Sequence, residues 1–99
     1  MRGINVLDYA TLAVDTSAVT LVTDASPTLP DACNRAYLTA ETDAVRWRAD
    51  GTAPTTTEGH VLAVNDSISF TGANYRQLLE KIQFIKQTAT AALKITYFD

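Results

Sequence analysis

Asp50, Glu58 and His60 are the residues of this chain whose types could do chemistry together. All three fall in one stretch, AVRWRADGTAPTTTEGHVL (residues 44–62), with four threonine hydroxyls between the two carboxylates. A histidine and two carboxylates could hold a metal, but one histidine falls short of any zinc spacing. The loop also lacks the alternating Asp/Asn pattern of a calcium hand. Nucleophilic catalysis would need His60 beside an activated hydroxyl or thiol. Ser67 and Cys33 are the candidates, and no spacing selects either. A structural reading asks less of the same residues. Asp50-Gly51 permits a turn with positive φ, Pro54 stiffens the loop, and Gly59 lets the chain re-enter a strand. The side chains of Asp50 and Thr55 to Thr57 can satisfy loop backbone groups that no strand ladder reaches. The stretch reads as the corner of a β-domain, and no enzyme activity, metal or cofactor is expected from it.

Other reactive types follow the same pattern. Cys33 is the only cysteine, which excludes an intrachain disulfide and a cysteine-based zinc cage. It sits in a loop near two prolines with nothing to depress its pKa, so it reads as an inert thiol. Arg35, Arg46 and Arg48 could form a basic stripe that grips phosphate or a partner's carboxylates. The plainer reading is a solvated, salt-bridged sheet face with Glu41 and Asp50. Trp47, Tyr9, Tyr37 and Tyr75 could make an aromatic platform for sugar rings. Trp47, however, is in phase with Val45 and Ala49, as a core residue would be.

The elements that would position these residues are strands. Alternating runs occupy residues 10–15 and 18–23, and residues 24–34 form a loop with two prolines. RAYLTAE (35–41) and AVRWRAD (44–50) are separated by two or three residues and read as an antiparallel hairpin. VLAV (61–64), a turn at Asn65-Asp66, SISFTG (67–72), KIQFIK (81–86) and TAALKITYF (90–98) complete seven or eight strands. Residues 73–80 are the only helical candidate, as a cover over an open edge of the sheet. The expected fold is a single all-β domain, residues 1–99: a small antiparallel β-sandwich or jelly-roll-like unit with at most one short helix. Residues 1–9 are expected to be an extended N-terminal arm. With 46% apolar and 19% charged residues the chain is globular, and its net charge of −3 argues against a nucleic-acid partner. No apolar run is long enough for a signal peptide or a membrane span, so the protein is expected in the cytoplasm where it is made.

From Arg35 to Phe98 the chain resembles small virion proteins of tailed bacteriophages and prophages. The likeness lies in VRWR (45–48), DGTAPT (50–55) and GH (59–60), then NDSISF (65–70), IQFI (82–85) and a last strand ending in Tyr97-Phe98. What the resemblance implies is a non-enzymatic structural protein, above all a capsid decoration (cement) protein without cofactor or active site. Its expected partners are the major capsid protein or other virion proteins. It would work as a homo-oligomer, a trimer being favoured, in a virion assembled in the host cytoplasm, with no nucleic-acid or membrane partner. Ile4, Val6, Leu7 and Tyr9 of the arm, with Arg46 and Arg48, are the candidate contacts. The alternative is a carbohydrate-binding module of a tail or host-recognition protein. That reading needs Trp47 or several tyrosines to be exposed and coplanar.

Overall fold

The computed structural model describes residues 5–99, which form eight strands and one short helix. Four strands make up the first sheet: β1 (Val6–Val14), β3 (Arg35–Glu41), β6 (Ser67–Phe70) and β8 (Ala91–Phe98), in the order β1-β8-β3-β6. The second contains β2 (Val19–Thr20), β4 (Val45–Arg48), β5 (His60–Leu62) and β7 (Gln83–Lys86), in the order β2-β7-β4-β5. Helix α1 (Arg76–Lys81) joins β6 to β7.

All the strand pairings are antiparallel, and they are nested: β1 with β8, β2 with β7, β3 with β6, β4 with β5. The chain therefore doubles back like one long hairpin and then wraps, so that β8 lies beside β3 and β7 beside β4. This is the order of an eight-stranded jelly roll. The all-β sandwich expected from the alternating runs is the fold.

Alternation decides what is buried. Along β8, Ala91, Leu93, Ile95 and Tyr97 point into the core, while the residues between them are half-exposed on the outer face. Ala36, Leu38 and Ala40 of β3 join them from the same sheet, and Ala10, Leu12 and Val14 from β1. Val45, Leu62 and Phe84 belong to the opposing sheet, and Leu21, Leu79 and Ile82 complete the core from the connections and α1. Among the described residues no charged residue is fully buried.

Three expectations change. The β3–β4 hairpin does not form: β3 is flanked by β8 and β6, and β4 by β7 and β5. Residues 42–44 instead carry the chain from one sheet to the other, with Thr42 at φ 76°. Both strands have a strong apolar face, and crossing lets those faces meet across the core instead of lying side by side. The second correction concerns the arm. Val6 to Tyr9 are part of β1, paired with β8 through an irregular register between Val6 and Asp8. Ahead of them, Asn5 bonds to the Asp99 carboxylate through its backbone N–H and its side-chain amide (3.0 and 2.9 Å). That irregularity hides the strand from a strict period-two reading. Third, the helix begins at Arg76, where the Asn74 side chain accepts the Arg76 N–H (2.9 Å), and it closes an end of the sandwich.

The two ends differ. Residues 15–18, 42–44, 63–66 and 87–90 are short connections gathered at one end, where Lys86 N–H bonds to the Asp15 carbonyl and Gln87 N–H to that of Ala44. The long connections, 21–34, 49–59 and 71–75 with α1, lie at the other end, together with Asn5 and Asp99.

Candidate functional site

Residues 49–59 form the loop that carries Asp50 and Glu58 and leads into His60, and the structure shows what holds it. Arg46 and Arg48 alternate with Val45 and Trp47 on β4, so both guanidinium groups leave the outer face of the sheet. Arg46 folds back over the loop, donating from Nε to the Thr56 carbonyl (3.0 Å) and from Nη1 to the Gly59 carbonyl (2.9 Å). Arg48 makes a two-pronged pair with the Asp50 carboxylate, which also accepts the Thr52 N–H. Hydrogen bonding to the Arg48 guanidinium is the main cause that holds the Asp50 carboxyl below the ordinary range. Thr55 and Glu58 exchange backbone bonds across the tip, and the Thr55 hydroxyl accepts the Thr57 N–H. Pro54 is buried beneath. Both arginines offered as partner contacts are thus engaged in building their own loop.

Gly59 closes the corner. Its φ is +138°, and a Cβ there would stand 3.1 Å from the Trp47 carbonyl oxygen and 3.2 Å from the Pro54 Cβ. His60 follows on β5, opposite Trp47, and the two rings meet at a 39° tilt with centroids 4.7 Å apart. Trp47 meets Phe70 of the other sheet edge-on at 5.9 Å, and Phe70 meets Tyr75 at 5.5 Å. This file of four rings plugs the long-loop end of the sandwich. Trp47 is half-buried and packed against the core, as its phase with Val45 requires, and is no open platform. A shallow depression of about 330 Å³ lies between Arg48, Glu58, Gly59 and His60. Among the described residues no three histidine, cysteine or carboxylate side chains come together to hold a metal ion.

The remaining candidates separate. Arg35 is on the first sheet and donates to the Asp99 carbonyl, so it forms no stripe with Arg46 and Arg48. Cys33 is fully buried, its thiol donating to the Arg35 carbonyl (3.1 Å), and burial pushes its pKa up. Beside it, Arg76 ties α1 to the carbonyls of Pro30 and Cys33 and pairs with Glu80. Sequence reading offered none of the three long-range bonds made by Arg35 and Arg76, because nothing local marks the distant carbonyls as acceptors.

Of the arm residues, Ile4 lies outside the described residues. Leu7 is half-buried against the chain's own core. Val6 and Tyr9 are free on the surface, 64% and 56% exposed. Val6 stands opposite Phe98 at the long-loop end, and Tyr9 faces outward from the first sheet. Among known proteins the chain matches no family model, no curated sequence and no solved structure.

Proposed function

We propose that this chain is a non-enzymatic structural protein of a tailed-phage virion, a capsid decoration protein that seats on the shell as a symmetric oligomer, in the first instance a trimer. The observation that supports this reading is where adhesive surface remains once the strand edges are accounted for. β2, β5 and β6 are edges only two to four residues long. The long edge, β1, is closed at its middle by paired bonds between Thr11 and Ser26, and the Tyr9 N–H is capped by the Asp8 carboxylate (2.8 Å). Edges so managed do not recruit strands. Contact then falls to side chains, and among the described residues Val6 is the most exposed large hydrophobic residue. It sits with Phe98 at the end where the long loops gather. Adhesion repeated over many copies adds buried area and avidity without any chemistry.

The test is binding to decoration-free capsids followed by sedimentation, beside light scattering of the free protein. The wild type is expected to saturate the shells at a fixed ratio, and Val6→Asp to lower occupancy about tenfold or more while remaining folded. Failure of the folded wild type to sediment with the shells would refute the reading.

A further inference from the structure

The outer face of the first sheet is graded from bulky side chains at one end to small ones at the other. Cross-strand neighbours form rows across it, and the row nearest the long loops is Val6, Phe98 and Arg35. The second row is Tyr9, Thr96, Tyr37 and Ser69. Towards the short connections the rows become Thr11, Lys94, Thr39 and Ser67, and then Ala13, Ala92 and Glu41. Six large hydrophobic residues are exposed among the described residues, and three of them, Val6, Tyr9 and Tyr37, lie in the two bulky rows.

Charge is graded along the same direction. Arg35 stands in the first row and spends one Nη on the Asp99 carbonyl. Lys94 stands in the third row and the exposed Glu41 in the fourth, diagonal to it. Neither Lys94 nor Glu41 is in an ion pair among the described residues. At the margin, the Asp8 carboxylate is engaged with the Tyr9 N–H. With both signs present, the face favours neither a polyanion nor a polycation, but it is complementary to itself. A two-fold axis lying across the strands, midway between the second and third rows, sets each strand antiparallel on its own copy. It exchanges the first row with the fourth and the second with the third. Tyr9 and Tyr37 then meet the second copy's Thr11 and Thr39, while Val6 and Phe98 meet its Ala13 and Ala92. Bulk lies over small side chains at each position. Arg35 meets Glu41 at both ends of the contact. Lys94 meets Thr96 between the second copy's two tyrosines, whose ring faces attract a cation. The two Lys94 positions stay a row apart, roughly 7 Å. An axis along the strands would instead set bulk on bulk.

We propose that this face is a two-fold interface whose occupant is a second copy of the chain. Its strands, of 9, 8, 7 and 4 residues, tile roughly 450 Å². That is towards the small end of stable interfaces, so the pair is reversible, with dissociation in the micromolar range. The dimer is a state of the free protein. It covers Val6, so seating on a shell through Val6 would open it, but the inference does not rest on that reading. The experiment is sedimentation equilibrium of the free protein from nanomolar to millimolar concentration. The wild type is expected to pass from monomer to dimer. Tyr37→Ala should raise the dissociation constant roughly tenfold. Glu41→Arg sets a cation against the second copy's Arg35 and should weaken the dimer at least as much. Mixed with Arg35→Glu, it should pair again as a heterodimer, because both crossed contacts then join opposite charges. Circular dichroism shows which variants are folded; if Arg35→Glu is not, the other two variants decide. A folded wild type that stays monomeric overturns the proposal. So does an assembly that either Tyr37→Ala or Glu41→Arg leaves unweakened, or a folded charge-swapped mixture that does not pair.

Discussion

Gly59 and Tyr97 show how much of this fold rests on single positions. At Gly59 an added methyl meets two fixed groups, the Trp47 carbonyl oxygen and Pro54, on a backbone that L-residues rarely adopt. Gly59→Ala should therefore cost about 2 kcal/mol or more, read as a lower urea midpoint. Gly51→Ala has φ +91° but open space around it, so its cost should be smaller. Tyr97 is fully buried, and its hydroxyl donates to the Pro27 carbonyl (3.1 Å). Burial, and after it the negative charges of Cys33 and Asp8, hold its pKa well above the ordinary value of 10. Below that value folded and unfolded chains both keep the proton, and pH has no leverage. Above it the unfolded chain releases the proton and the folded one retains it, so stability falls as pH rises. Cys33, also raised by burial, adds the same sign above its ordinary value of 9.0. Denaturation curves between pH 8 and 11 should show this loss, and Tyr97→Phe should flatten part of it. That variant should cost about 1 kcal/mol at neutral pH for the missing hydrogen bond. Cys33 should likewise resist thiol reagents until the protein unfolds. The inert thiol and the inward Trp47 were legible from their neighbours in sequence. The contact of the His60 ring with Trp47 was not, because it depends on which strand lies beside β4.

Strands were legible, and their partners were not. Period-two alternation marks Ala36, Leu38 and Ala40 as one face and Val45 and Trp47 as another, and both are buried or half-buried faces in the structure. It says nothing about which sheet a strand joins. The three residues 42–44 suit a hairpin by length alone, yet they bridge the two sheets. Their left-handed residue is the sign of strain. A β-branched side chain at φ 76° is unfavourable, whereas asparagine tolerates that region. Asn65 occupies the corresponding region at φ 67° in another sheet-to-sheet connection, between β5 and β6. Thr42→Asn should thus stabilise the protein by about 0.5–1 kcal/mol, raising the urea midpoint without changing its slope. An unchanged or lowered midpoint would mean that the Thr42 side chain makes a compensating contact.

For the whole molecule, nested pairing makes the outermost strands the most distant in sequence. Val6 finds Phe98 and Val14 finds Ala91, so the first sheet cannot close until almost the entire chain is present. Refolding should accordingly be slow for a chain of this size, in the range of milliseconds to seconds, by stopped-flow fluorescence of Trp47. Sequence reading reached the sandwich because strand count and turn spacing bound the architecture; wrapping order depends on long-range pairing that no local pattern encodes. One consequence of the β1–β8 pair is mechanical. Asn5 and Asp99 lie side by side at one end, and the two strands run away from that point antiparallel. A load that draws these residues apart meets the ladder one rung at a time and peels it. A load pulling the two strands along their length from opposite ends would have to shear many rungs at once. The fold is a zipper along the line joining residues 5 and 99, so any load it withstands must be applied elsewhere than through those two residues.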